Sequence, residues 1–138
     1  NFRVQFGAAS FTSVSLVDIG GFDVGCSVRA NQAGSNTLWR SLLSGNASVS
    51  ATWAADTWYE IEFARSGSTL YLFRDGVLLS TGTGAPTTSL GTEAFRVGHV
   101  LTGGVYGGTG RKFDDMLVAN YAMHTADYTP RTTEWTIV

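Results

Sequence analysis

The strongest structural signal in this sequence lies in residues 58–76, WYEIEFARSGSTLYLFRDG. Apolar and polar residues alternate along this stretch, which is the period of a β-strand with one face turned towards a core. Gly67 divides the stretch into two strands, and Asp75-Gly76 separates the second strand from the apolar run at 77–80. A two-residue type I′ turn needs positive φ at both central positions, so Asp-Gly at this place predicts a β-hairpin.

Alternation in the first of these strands divides its side chains between two faces. Tyr59, Ile61 and Phe63 share one face, which we expect to lie in the core. Glu60 and Glu62 share the other face with an apolar residue on either side, and we expect both carboxylates to be solvated. Their Cα atoms lie about 6.5 Å apart by strand rise, which does not exclude the carboxylate spacing of a glycoside hydrolase.

The same alternation runs through the rest of the chain and predicts an all-β fold. Turn residues recur about every eight to twelve positions, helix signals are restricted to one short turn at 121–127, and no linker separates two domains. We therefore predict a single domain over residues 1–138, built as an antiparallel two-sheet β-sandwich of jelly-roll type. The remaining strands are predicted at 2–6, 11–16, 22–30, 37–43, 47–52, 69–74, 77–81, 93–99, 112–121 and 135–138.

Four blocks of the sequence occur together in one known superfamily. Trp58 opens a strand, Asp75-Gly76 ends the next one, FDDMLV at 113–118 carries an acidic pair late in the chain, and ADYTP closes it at 126–130. Together they resemble the concanavalin A-like lectin/glucanase superfamily in its laminin-G-like branch. The tail at 121–130 is similar to the variant found in bacteriophage tail and other virion proteins. The resemblance spans residues 22–130 and implies the same sandwich fold.

The resemblance also bears on the acidic residues. Laminarinase-type hydrolases of the superfamily carry three acids on one strand, whereas here Phe63, Ala64 and Arg65 follow Glu62 and the third acid is missing. In this family the Asp114-Asp115 pair is largely architectural, and calcium binding at loop ends is the alternative that some relatives show. Asp75 is expected to be a turn residue. We expect no catalytic residues and no cofactor, with calcium as the one candidate metal.

Composition excludes several classes of partner and location. Charged residues make up 14% of the chain and the net charge is −2, with no basic stripe, so nucleic-acid binding is not expected. No apolar run has the length of a membrane span. Cys26 is the only cysteine and is expected to be a buried, unreactive side chain. A surface built from Ser, Thr, Asn and Gly without disulfides favours an extracellular or virion location.

Three residues are candidates for ligand contact. Trp53 precedes a turn and is expected to be exposed, Tyr106 is at the centre of the glycine-rich loop at 102–110, and Arg111 follows that loop. Aromatic rings stack on the apolar faces of sugars, so a carbohydrate ligand is one hypothesis and contact with another protein subunit is the other. His99 and His124 are isolated in sequence, which gives no metal-ligand spacing.

These observations predict a non-catalytic binding module of a virion or cell surface. A bacteriophage decoration or tail protein that binds host glycans is the preferred form of this hypothesis. The alternatives are a purely structural virion protein that makes subunit contacts and, less favoured, a glycoside hydrolase that uses Glu60 and Glu62.

Overall fold

The computed structural model describes residues 1–7, 14–19, 26–31, 37–42, 45–83, 95–98 and 110–132. Within these ranges the chain forms ten strands and no helix, which confirms the all-β prediction. No described segment is a helix long and apolar enough to cross a membrane. The strands are β1 (Phe2–Gln5), β2 (Val14–Ile19), β3 (Cys26–Asn31), β4 (Thr37–Leu42), β5 (Gly45–Ser50), β6 (Trp58–Ser66), β7 (Thr69–Arg74), β8 (Val77–Gly82), β9 (Phe95–Val97) and β10 (Lys112–Asp114).

The strands form two five-stranded sheets in which every pair is antiparallel. One sheet has the order β10-β1-β6-β7-β8 and the other has the order β5-β4-β3-β2-β9. In the first sheet β1 lies between β6 and β10, with Val4 opposite both Tyr59 and Phe113. The beginning of the chain is therefore an internal strand, and the late strand β10 forms the edge beside it.

Side chains from both sheets contribute to one buried hydrophobic cluster. Tyr59, Ile61 and Phe63 face this cluster, as the alternation predicts, and Ile61 is fully buried. Transfer of such a side chain out of water contributes about 1.5–3 kcal/mol. The buried members of the cluster are Phe2, Val4, Phe6, Leu16, Val28, Ala30, Ala51, Trp53, Ile61 and Leu72.

The predicted hairpin is present. Arg74 pairs with Val77 across the turn, and the two central residues have φ of 52° at Asp75 and 79° at Gly76, as a type I′ turn requires. Gly67, with φ of 58°, turns the chain between β6 and β7. The sequence signals for both turns are therefore confirmed.

The late strand is shorter than the predicted 112–121. Asp115 has a φ of 48°, which takes the backbone out of the extended conformation, and its N–H donates to the Asp114 carboxylate at 2.9 Å. Beyond this bend, Leu117 exchanges two backbone hydrogen bonds with Asn1, at 2.9 and 3.1 Å. The short helical turn predicted at 121–127 is wrong, since the chain there forms only bends. The predicted strand at 135–138 lies outside the described residues.

Two turn glycines allow a matched test of how tightly the hairpin is packed. A Cβ at Gly76 would overlap the carbonyl oxygen of Tyr128 and press on the Pro130 ring, whereas a Cβ at Gly67 meets open space. Both positions have positive φ, so alanine costs about 1–2 kcal/mol of backbone strain at either one. We expect Gly67→Ala to lower the free energy of unfolding by that amount and Gly76→Ala by at least about 2 kcal/mol more, measured by urea denaturation. Equal losses in the two variants would contradict the close packing at Gly76.

Candidate functional site

The outer face of the first sheet carries a buried polar cluster. Glu60 and Glu62 point to this face, and residues 124–130, here called the covering segment, lie over them. Only 9% of Glu60 and 1% of Glu62 is exposed. The expectation that these carboxylates are solvated is therefore wrong, because the covering segment removes them from water.

Both oxygens of Glu62 accept hydrogen bonds from His124. The backbone N–H of His124 donates to Oε1 at 3.2 Å, and its ring Nδ1 lies 2.9 Å from Oε2. Asn1 Nδ2 also donates to Oε2, at 3.1 Å. Burying a carboxylate without hydrogen-bond partners costs several kcal/mol of folding free energy. These donors offset that cost for Glu62.

Glu60 is held in a similar way by different donors. Its Oε1 accepts from the Tyr128 hydroxyl at 2.8 Å and from Asn1 Nδ2 at 3.2 Å. Because one amide group of Asn1 reaches both carboxylates, the two glutamates are coupled through a single donor. The backbone N–H of Glu60 donates to Asp75 Oδ1 at 2.8 Å, which ties the strand to the hairpin turn.

Aromatic packing completes the cluster. The His124 and Tyr128 rings stack with centroids 3.7 Å apart and planes 10° apart, and Tyr128 packs edge-on against Phe73 at 5.4 Å. Phe73 lies directly opposite Glu62 in the ladder and is fully buried. The donors to the carboxylates are thus fixed by ring contacts as well as by hydrogen bonds.

The covering segment is anchored at the β7–β8 hairpin. Tyr128 N–H donates to the carbonyl oxygen of Gly76 at 2.8 Å, and Asp127 Oδ1 accepts from the N–H of Leu78 at 2.8 Å. Asp75 at the same turn has the turn role expected from the sequence, since its φ is positive and it bonds the backbone of Glu60.

This arrangement supplies both carboxylates with hydrogen-bond donors from within the chain. Each one accepts hydrogen bonds from groups of the chain itself, and the covering segment closes the approach from solvent. Although His124 is isolated in sequence, in the structure it is part of this cluster.

Across the described ranges, no three His, Cys, Asp or Glu side chains form a group able to hold a metal ion. The described residues therefore provide no site for the calcium ion considered above.

Trp53, the first candidate for ligand contact, is buried. It is only 3% exposed and packs edge-on against Phe6 and Tyr59, with ring centroids 5.0 Å away in each case. The Arg74 guanidinium lies 5.5 Å from the Trp53 ring and closes this end of the core. The expectation that Trp53 is exposed is therefore wrong, because the following turn folds its ring inwards instead of presenting it to solvent.

The other candidates differ in what surrounds them. Tyr106 and His99 lie outside the described residues. Arg111 is half-buried, and burial lowers the pKa of its guanidinium. Its Nη1 is buried and makes no hydrogen bond with any of the described residues. Asp115 forms a 3.5 Å ion pair with Arg3, and Asp114 bonds the backbone of its neighbour, so both carboxylates of this pair have structural partners.

The sequence interpretation missed Asn1, His124 and Tyr128 as members of one cluster. One signal was available, because Phe73 falls on the same face as the two glutamates in the predicted hairpin. A large apolar side chain on that face indicates that another part of the chain covers it. The sequence gives no indication of which segment does so.

No protein-family model, curated protein or solved structure matches this chain. The resemblance to the concanavalin A-like superfamily therefore depends on the residues quoted above.

The hydrogen bond from Tyr128 to Glu60 allows a matched stability test. Tyr128→Phe keeps the ring contacts and removes one donor from a buried carboxylate, so we expect a loss of about 1.5–3 kcal/mol in the free energy of unfolding. Tyr121→Phe is the control, because Tyr121 is 69% exposed and its change is expected to stay within about 0.5 kcal/mol. Similar urea midpoints for the two variants would contradict the role assigned to Tyr128.

Tyr128 also predicts how stability depends on alkaline pH. Burial, reinforced by the hydrogen bond to Glu60 and by the charges of Glu62 and Glu60, raises the pKa of the Tyr128 phenol well above its ordinary value of about 10. The unfolded chain releases this proton above about pH 10 while the native state retains it, so the stabilisation is complete below that pH and declines above it.

We expect the free energy of unfolding to fall more steeply between about pH 9.5 and 11 in the wild type and in Tyr121→Phe than in Tyr128→Phe. Urea denaturation at each pH measures the slopes. Parallel slopes in all three proteins would show that Tyr128 does not titrate differently in the native and unfolded states.

Proposed function

We propose that this chain is a laminin-G-like module of the concanavalin A-like superfamily that acts without catalysis on a virion or an extracellular surface. Two antiparallel sheets whose side chains share one hydrophobic cluster support a sandwich of this type. The sequence blocks around Trp58, Asp75-Gly76 and Asp114-Asp115 support the superfamily, and the tail at 121–130 supports the virion branch.

The observation that carries the non-catalytic role is the burial of Glu60 and Glu62. A glycoside hydrolase needs one carboxyl group free to protonate the leaving oxygen and another free to attack or to activate water. Here both side chains are hydrogen-bonded to Asn1, His124 or Tyr128 beneath the covering segment. Hydrogen bonding of this kind is better suited to stabilising the fold than to catalysis.

Contact with other subunits is the preferred mode of action. Burial of Trp53 removes one of the two aromatic rings proposed for sugar stacking. Exposed apolar side chains are instead found on the late part of the chain, at Val118 and Tyr121, where 68% and 69% of the residue is exposed. Exposed aromatic and aliphatic side chains such as these are available to pack against another subunit.

Glycan binding is the second candidate, favoured by Arg111. Its buried Nη1 has no hydrogen-bond partner within the part of the chain that the structure describes, and a guanidinium is suited to sugar carboxylates and hydroxyls. Arg111 directly follows the glycine-rich loop that carries Tyr106. A site of this kind would bind a single glycan weakly and gain strength from many copies.

The non-catalytic role predicts that the purified protein releases no reducing sugar from a panel of β-glucans and bacterial polysaccharides. Glu60→Gln and Glu62→Gln are the matched controls, because they keep the side-chain size and remove the charge. Activity in the wild type that either variant abolishes would overturn the proposal and make the pair catalytic.

A glycan array with the protein presented multivalently separates the two candidate partners. Binding that is lost in Tyr106→Ala and Arg111→Gln, and kept in Tyr121→Ala, would identify a carbohydrate site beside the loop. An array with no signal for any of these proteins favours subunit contact.

A further inference from the structure

The outer edge of the first sheet has the features of an exposed pairing strand. β10 is the last strand in the order β10-β1-β6-β7-β8, and no described residue pairs with its outer side. Within this strand Lys112 and Asp114 are exposed and Phe113 between them is half-buried. Such an edge presents unpaired backbone N–H and C=O groups to a further strand.

The charges along this edge are arranged symmetrically about one residue. The sequence is Arg111-Lys112-Phe113-Asp114-Asp115, with two positive residues before the phenylalanine and two negative residues after it. Lys112 and Asp114 are both exposed and lie on the outer face of the sheet, opposite Gln5 and Arg3 of β1. An antiparallel copy of the same strand, centred on Phe113, would place Lys112 of each copy opposite Asp114 of the other.

We propose that two copies of this chain pair through their β10 edges, antiparallel about Phe113, and so join their five-stranded sheets into one continuous sheet. A two-fold axis brings the same surface of both copies together, so both Lys112–Asp114 pairs form at once. Opposite charges placed directly across a ladder are stabilising, and like charges in that position are destabilising.

The charge pattern also selects the register. The outer faces of the two sheets lie on the same side of the joined sheet only if even-numbered residues pair with even-numbered ones and odd-numbered with odd-numbered. The nearest alternative registers are therefore shifted by two residues. One of these places Lys112 opposite Lys112, and the other places Asp114 opposite Asp114. Both alternatives put like charges across the ladder, and only the register centred on Phe113 neutralises them.

Charged side chains at a sheet edge ordinarily prevent association. Here the positive residues precede Phe113 and the negative residues follow it, an order that is self-complementary in an antiparallel pair, so the same charges that repel an unrelated strand attract a second copy. The paired segment is short, and we expect a weak dimer with a dissociation constant on the order of micromolar or higher. This inference goes beyond the proposed function, and its test measures mass and not ligand binding.

Sedimentation equilibrium of the whole chain between about 10 µM and 1 mM tests the proposal. We expect the wild type to dimerise. Lys112→Asp and Asp114→Lys each place like charges across the ladder, and we expect each to weaken dimerisation at least about tenfold. The charge-swapped double variant Lys112→Asp/Asp114→Lys restores opposite charges in the same register and is expected to regain most of the wild-type affinity.

A mixture of the two single variants provides a second readout. Lys112→Asp carries acidic residues at positions 112 and 114, and Asp114→Lys carries basic residues at both. The mixture is therefore expected to form heterodimers more tightly than either variant forms homodimers. Circular dichroism confirms that every variant is folded. A wild type that stays monomeric at all concentrations, single variants that dimerise as well as the wild type, or a double variant no better than the singles would each overturn the proposal.

Discussion

The need to supply hydrogen-bond donors to two buried carboxylates joins three distant parts of the described structure. Glu60 and Glu62 are on a central strand of the first sheet, and their donors come from Asn1, His124 and Tyr128. A buried carboxylate that loses its donors costs more than the bond itself contributes. The beginning of the chain, the middle of β6 and the covering segment are therefore mutually dependent.

This constraint separates the stabilising role of the acids from any chemical role. The same two side chains on an open face would have been candidates for general acid and base. Under the covering segment their lone pairs accept bonds from groups within the chain, and the adjacent hairpin turn is fixed through Asp75. Binding residues in proteins are found disproportionately on loops held by a rigid scaffold, so we expect function at the edges and loops of these sheets.

Local signals in the sequence predicted the features that depend on neighbouring residues. The alternation of Tyr59, Ile61 and Phe63 and the turns at Gly67 and Asp75-Gly76 were predictable, because strand period and positive φ act over a few residues. The cluster was not predictable, since its hydrogen bonds join residues 62 and 68 positions apart. The prediction that Trp53 is exposed failed for a similar reason. Its burial depends on contacts with Phe6 and Arg74, which are both distant in sequence.

The docking of Tyr128 against Gly76 has a consequence for the time course of folding. The covering segment docks on a surface built by β6, β7 and β8, so we expect its contacts to form after the transition state for sheet assembly. Interactions absent from the transition state act on the rate of unfolding and leave the rate of folding nearly unchanged. We therefore expect the covering segment to set the lifetime of the native state through the rate of unfolding.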